Sequence, residues 1–232
     1  MPFTKMEGLG NDYVYINGFE VQVAEDFKKE LAVKLSDRHF GVGSDGLIFI
    51  NPSEQADFEM EMYNADGTRA EMCGNGIRCV ARYVYDHRMT DKTDFTIESM
   101  GAVKQMHLCV EGEEVTAVEV NMGSPILEAE KIPVLSSVSP VIAQPIEVGG
   151  LLYEMTCVSM GNPHCVVFVE DVKNLPLEKI GPLFEHHELF PNRVNTEFVQ
   201  VVDRETVKMR VWERGTGETL ACGTGACATA VA

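Results

Sequence analysis

The strongest constraint on this chain is that it repeats itself. Cys73-Gly74-Asn75-Gly76 returns about 150 residues later as Cys222-Gly223-Thr224-Gly225. The same series of segments precedes each copy. Gly10-Asn11-Asp12 and Gly161-Asn162-Pro163 are glycine–asparagine loops that feed an apolar run. Phe58 to Tyr63 and Val207 to Trp212 alternate apolar and polar residues, the period of a strand. From asparagine to cysteine is 62 residues in the first half and 60 in the second. Such a repeat predicts two similar domains, residues 1–123 and 124–232, divided near Gly123-Ser124-Pro125.

Both cysteines stand at the mouth of a predicted helix. After Gly76, Ile77, Val80, Ala81 and Val84 recur at i, i+3, i+4 and i+7. Cys79 and Tyr83 widen that face, and Arg78, Arg82 and Asp86 form a polar strip. After Gly225 the residues are small on every side, which predicts a helix packed closely all round. The first N–H groups of a helix have no internal partner, and the macrodipole makes that end positive. A carboxylate can bind there, and a cysteine there is shifted toward thiolate. One Cys-Gly-x-Gly is more often a turn beside a core cysteine. Two copies in matching contexts favour a site.

The remaining segments complete the two halves. Glu25 to Arg38 reads as an amphipathic helix with Phe27, Leu31 and Leu35 at i, i+4 and i+8. Phe40 to Gly46 looks superficially like a phosphate loop. It leads into a strand, Leu47 to Ile50, and not into a helix, so no nucleotide site is expected. Phe95–Ser99, Val103–Val110 and Val115–Asn121 read as strands, the last two joined at Glu111-Gly112. In the second half Leu177 to His187 reads as an amphipathic helix with Ile180, Leu183 and Phe184 apolar, and Phe198 to Val202 as a strand.

Composition narrows the partners. Hydrophobic residues at 45% and charged residues at 24% describe a globular chain, and a net charge of −17 argues against nucleic acid or an anionic membrane surface. No apolar run approaches a membrane span, and Met1-Pro2-Phe3-Thr4-Lys5 is no signal peptide. Seven cysteines without CxxC spacing suggest reduced thiols and a cytoplasmic setting.

Two similar domains related by a pseudo-twofold would set Cys73 and Cys222 on opposite faces of one substrate carbon. One thiolate would remove a proton and the other thiol would deliver one, inverting the centre. Helix-end N–H groups would hold the adjacent carboxylate as charge develops on it. No metal or cofactor motif is recognisable, and none is expected.

The segments Gly8-Leu9-Gly10-Asn11-Asp12, Asn64-Ala65-Asp66-Gly67, Cys73-Gly74-Asn75-Gly76, Met160-Gly161-Asn162-Pro163-His164-Cys165-Val166, Glu213-Arg214-Gly215-Thr216-Gly217-Glu218-Thr219 and Ala221-Cys222-Gly223-Thr224-Gly225-Ala226 resemble, in order along the chain, those of the diaminopimelate epimerases. The resemblance implies an α+β fold of two pseudo-symmetric domains, each a curved mixed β-sheet around a central α-helix. It implies cofactor-independent interconversion of LL- and meso-diaminopimelate, on the way to lysine and peptidoglycan, by a cytoplasmic homodimer. Matched by position, Cys73 and Cys222 are the acid/base pair, and the backbone at Gly74, Asn75, Gly223 and Thr224 holds the reacting carboxylate. Asn11, Asn64, Asn162, Asn195, Glu213 and Arg214 bind the rest of the substrate. His164 and Glu213 tune the cysteines or grip the ammonium. Arg214 suits the distal carboxylate because a guanidinium fork is bidentate.

The chain departs from the family in two places. Many members carry glutamine in the loop that here reads Ser44-Asp45-Gly46. Only ten residues follow Cys222, whereas about fifty follow Cys73 in the first half, so the repeat predicts a longer natural form, more stable and more active. Read without the family, His164 is a loop residue and Glu213-Arg214 a surface ion pair. Three other functions fit the same residues. Proline racemases and hydroxyproline epimerases also use two cysteines. A non-catalytic carboxylate-binding protein would use only the helix ends. A redox protein would join Cys73 to Cys222.

Overall fold

The computed structural model describes residues 1–70 and 73–232; Glu71 and Met72, just before Cys73, lie outside the described residues. The chain divides into two compact units, Met1–Asn121 and Met122–Ala232.

The first unit runs β1 (Thr4–Gly8), β2 (Asn11–Asn17), α1 (Glu25–Ser36), β3 (Gly46–Asn51), β4 (Phe58–Asn64), β5 (Arg69–Ala70), α2 (Gly74–Asp86), β6 (Asp94–Ser99), β7 (Ala102–Glu111) and β8 (Glu114–Val120). Its eight strands form one mixed sheet in the order β1-β2-β3-β4-β6-β7-β8, with β5 paired to β4. β2 and β3 are parallel, Tyr13 opposite Gly46 and Tyr15 opposite Ile48, and α1 is the crossover that parallel pairing demands. The sheet curls around α2. Ile77, Val80, Ala81 and Val84 meet Tyr15, Ile48, Met60, Ile97 and Met106 in the larger core.

The second unit runs through a 3₁₀ turn at Ala129–Lys131, then β9 (Gln144–Val148), β10 (Leu151–Ser159), β11 (Pro163–Phe168), α3 (Leu177–Glu185), β12 (Asn195–Val201), β13 (Val207–Glu213), β14 (Gly217–Thr219) and α4 (Gly223–Val231). Its sheet is ordered β14-β13-β12-β11-β10-β9. β11 and β12 are parallel, His164 opposite Asn195 and Val166 opposite Glu197, with α3 as the crossover. The repeat is therefore topological. β1 to β5 and α2 correspond to β10 to β14 and α4, and each crossover helix lies on the sheet face away from its cysteine helix. Among the described residues no helix is long and apolar enough to cross a membrane.

Four sequence expectations need correction. Phe27 is 63% exposed, and α1 instead turns Ala32, Ser36, Leu31 and Leu35 inward beside Lys28. Leu183 is likewise exposed, while Leu177, Gly181, Phe184 and Glu185 form the buried side of α3. β4 alternates in sequence but is covered on both faces, because α1 lies opposite α2. Glu61 is therefore buried, and its carboxylate accepts from Lys28 Nζ at 2.7 Å, Asn51 Nδ2 at 2.8 Å and the Tyr63 hydroxyl at 2.7 Å. The α4 helix is not packed all round: Gly225, Ala228 and Thr229 are buried, whereas Ala226, Ala230 and Val231 are exposed. Small residues permit close approach on any side, but β10, β11 and β12 supply neighbours on one side only.

Glu185, at the end of α3, ties the second unit together. It is buried and accepts from Trp212 Nε1 at 2.8 Å, the Gly215 N–H at 2.9 Å and Arg193 at 3.1 Å. Burial alone would raise its pKa. The Trp212 and Gly215 hydrogen bonds and the charges of His186 and Arg193 outweigh burial and hold the carboxyl below its ordinary range. Its folded pKa is depressed, so its stabilisation is present above the unfolded value of about 4.3 and is lost as pH falls through the folded one. We expect Glu185→Ala to cost about 1–3 kcal/mol by orphaning these donors. Urea melts followed by Trp212, the chain's single tryptophan, check this. The difference from wild type should shrink below pH 4.

Candidate functional site

Both cysteines are helix N-caps in the same backbone conformation. Cys73 has φ −128° and ψ 108°, and Cys222 has φ −128° and ψ 112°. In each the carbonyl accepts the first helical bond at 2.9 Å, from Ile77 and from Ala226. The glycine three residues on lets the helix start lie directly against the parallel strand. A Cβ at Gly76 would stand 2.9 Å from Ile48 Cδ1, and one at Gly225 would stand 2.5 Å from a carboxylate oxygen of Glu197. Gly74-Asn75 and Gly223-Thr224 thus open two helices with N–H groups beyond the reach of intrahelical carbonyls.

In the first unit Cys73 Sγ accepts from the Gly76 N–H at 3.3 Å. Asn75 Nδ2 donates to Asn11 Oδ1 at 2.9 Å, and Asn11 Nδ2 donates to Asp45 at 3.1 Å. Asp45 also accepts from the Asp12 N–H and from Arg38. Arg38, with help from Lys5, draws the Asp12 carboxyl down to about 2. The site residue Asn64 ends β4 opposite Gly46, at the same sheet edge, and its amide donates to Thr68 within its own turn. Gly46 itself cannot carry the glutamine of other family members, because a Cβ there would lie 2.2 Å from the Tyr63 carbonyl oxygen. Asp45 is what this loop contributes, as the brace of Asn11.

The second unit brings Asn162, His164, Asn195, Glu213, Arg214, Cys222, Gly223 and Thr224 to one sheet edge. His164 is no loop residue. It is fully buried on β11, with Nδ1 2.7 Å from Glu197 and Nε2 3.0 Å from Asn162 Oδ1. Asn162 Nδ2 donates to Thr224 Oγ1 at 3.2 Å, and that oxygen is 3.5 Å from Cys222 Sγ. Asn195 is buried; it donates to the Pro163 carbonyl at 2.8 Å and accepts from the Arg214 N–H at 2.9 Å. Glu213 and Arg214 do not pair with each other. Thr219 donates its hydroxyl proton to Glu213, and the exposed Arg214 donates to the Asn192 carbonyl and makes no ion pair among the described residues.

The helix end does not make Cys222 a thiolate here. The residue is only 8% exposed, and burial together with the charges of Glu213 and Glu197 outweighs the hydrogen bonds from Thr224 and Gly225. The thiol is pushed up to about 12. Cys222 therefore stands as a proton donor, and becomes a base only when positive charge arrives beside it.

Sequence reasoning missed Glu197 and Asp45. The expected strand begins at Phe198, three residues after the observed start at Asn195, and a carboxylate between Thr196 and the apolar pair Phe198-Val199 was the available signal.

The family model and the sequence relatives agree on the family. The diaminopimelate epimerase family model matches residues 3–128 and 156–232. A diaminopimelate epimerase of Methanococcus maripaludis is 56% identical over all of this chain and 83% of its own length. One from Acetivibrio thermocellus is 57% identical over all of this chain and 82% of its own. Among solved structures, a hydroxyproline epimerase from Agrobacterium vitis shares the fold, with a TM-score of 0.63 at 13% identity over 98% of this chain and 74% of that one. A Bacillus anthracis phenazine biosynthesis protein of the PhzF family gives 0.60 at 17% identity over 97% and 75%. The chain belongs to the diaminopimelate epimerase family.

Proposed function

We propose that this chain interconverts LL- and meso-2,6-diaminopimelate by two-base proton transfer, without a cofactor. The observation that carries this reading is the repeated N-cap cysteine, held in one backbone conformation at two glycine-opened helix starts, in a chain of this family. The reaction needs a thiolate on one face of the α-carbon and a thiol on the other. The thiolate takes the α-proton, and the electron pair passes into the carboxylate as an enediolate-like anion. The opposite thiol returns a proton to the far face and is left as the new thiolate, so protons and charge balance. In this reading the N–H groups of Gly74, Asn75, Gly223 and Thr224 bind the reacting carboxylate. Two positive helix ends then stabilise the developing charge without reorganising.

The substrate's ammonium supplies the positive charge that brings Cys222 within range of acting as a base, with Glu213 and His164 as the tuning groups. Asn11, Asn64, Asn162 and Asn195 line the two sheet edges that bear the cysteines, and Arg214 takes the distal carboxylate. Its guanidinium, which makes no ion pair among the described residues, and its anchored backbone N–H support that role. Residues 1–123 and 124–232 each supply one cysteine helix and one asparagine loop, and the protein works as a cytoplasmic homodimer in lysine and peptidoglycan precursor synthesis. The discriminating experiment is solvent-deuterium incorporation at the α-carbon of LL-diaminopimelate, run beside L-proline and with or without a thiol reductant. Exchange on proline alone would assign the chain to the proline racemase reaction.

Cys73→Ala and Cys222→Ala are each expected to lower epimerisation by about 10²–10⁴-fold or more while leaving the thermal melt intact. Turnover at the wild-type rate in either variant would remove the two-base reading. Arg214→Ala is expected to weaken diaminopimelate binding by roughly 2–5 kcal/mol, seen as a raised KM, since it strips a carboxylate of its bidentate partner.

A further inference from the structure

The two halves differ in the strand residue directly beneath the start of each cysteine helix. In the first unit Ile48 lies under Gly76; in the second Glu197 takes the same strand position under Gly225, and His164 stands where the first unit has Tyr13. Ile48 shows that an aliphatic side chain satisfies the packing requirement there. A fully buried carboxylate is costly, and among the described residues its Oε2 has no hydrogen-bond partner. Its Oε1 lies within hydrogen-bond distance of His164.

That bond begins a chain that ends on sulfur. Glu197 Oε1 lies 2.7 Å from His164 Nδ1; His164 Nε2 lies 3.0 Å from Asn162 Oδ1, an oxygen that can only accept, so Nε2 is the donor; Asn162 Nδ2–H donates to Thr224 Oγ1 at 3.2 Å. With its oxygen already accepting, Thr224 has its own proton free for Cys222 Sγ, 3.5 Å away. Every donor points toward the sulfur, and the direction is set at the far end. A partner on Nδ1 that leaves Nε2 protonated fixes the imidazole, which fixes the amide, which fixes the hydroxyl. The first unit has only the shorter analogue, Asn75 to Asn11 to Asp45, running away from its helix.

Resting on the epimerase reading above, we propose that Glu197 is a positioning residue for the reaction: through His164, Asn162 and Thr224 it aims a hydroxyl proton at Cys222 and so steadies the thiolate form of that residue. The charge of Glu197 by itself pushes the Cys222 thiol up, so what Glu197 contributes to the thiolate comes through the orientation of the chain. Other groups facing the sulfur differ in kind. Glu213 on β13 repels negative charge, the Gly225 N–H favours it, and β10 presents the apolar Val158 to α4.

The test compares wild type with Glu197→Ile, Glu197→Gln and Thr224→Val. The isoleucine copies Ile48 and keeps the volume but ends the chain. Glutamine can donate its amide N–H to Nδ1, leaving Nε2 protonated. Thr224→Val removes only the hydroxyl, with the backbone retained. Glu197→Ile is expected to lower kcat about 10- to 100-fold with KM within about twofold, a loss typical of removing a supporting shell. The loss should be larger in the direction that uses Cys222 as base, and that pH limb should move upward. Glu197→Gln should recover most of it, and the Ile/Val double variant should be no worse than Thr224→Val alone. A downward shift of the limb would show Glu197 to be merely a repelling charge. An unmoved limb with only a lowered melt would make it a packing residue, and additive losses would break the chain at Asn162; each overturns the proposal. A second measurement needs no turnover: the pH midpoint for iodoacetamide alkylation of Cys222, followed by peptide mass spectrometry. It should rise in Glu197→Ile and return toward wild type in Glu197→Gln. If wild type exchanges no α-proton but this midpoint still rises, the epimerase reading fails and the orienting chain stands. If the midpoint is unchanged or falls, the chain itself fails. Should the isoleucine variant not fold, the same midpoint in Thr224→Val decides, and no rise there rejects the proposal.

Discussion

The closeness of helix start to parallel strand is the constraint on which each unit depends. At Gly76 and Gly225 there is no room for a side chain, because Ile48 and Glu197 already occupy that space. This contact fixes how far each cysteine helix descends onto its sheet. With the height fixed, the N-cap residue and the two residues after it come level with the asparagine loop at the neighbouring strand's start. Asn75 and Thr224 can then bond Asn11 and Asn162 at 2.9 and 3.2 Å. An alanine at either glycine would have to displace the end of the Ile48 or Glu197 side chain beneath it. The small residues of α4 make a second such approach possible along its inner side.

Parallel pairing explains why the functional residues gather at strand ends. β2 with β3, and β11 with β12, run parallel and so need a crossover helix. Each crossover covers the sheet face that the cysteine helix leaves bare. One consequence is that charge is forced indoors: Glu61 meets Lys28 of α1, and Glu185 of α3 collects Trp212, Gly215 and Arg193. Glu185 has the larger bearing on the site. The loop that it holds carries Glu213 and Arg214, and Asn195 holds the same loop from the other side.

The two halves share a frame and differ in electrostatics. Tyr13 and Ile48 make an apolar floor under one helix, whereas His164 and Glu197 make a polar one under the other. The field of a helix N-terminus favours a thiolate in both. In the second half burial and two carboxylates overcome it, and Cys222 is pushed up to about 12. An enzyme that runs a proton across a carbon in both directions needs one sulfur charged and one neutral, and Cys222 rests as a neutral thiol.

Much of this was legible in the residues. The repeat, the cysteine at each helix mouth, the matching order of elements along the two halves and the apolar face of α2 follow from spacing and periodicity alone, because such local signals survive in any packing. The family resemblance rests on the same motifs. What spacing could not reveal was which faces are covered. Phe27 obeys the helical period yet lies in water, and Glu61 and Glu197 sit at strand positions where a second layer, invisible to periodicity, buries them. His164, beside a proline, has the sequence of a loop residue, and only its pairing across β11 and β12 makes it a buried link. Periodicity records the side of an element on which a residue falls; what lies on that side is settled by elements distant in sequence. That is why the chain alone named the two thiols, and the tertiary structure decided that Cys222 rests as a neutral thiol.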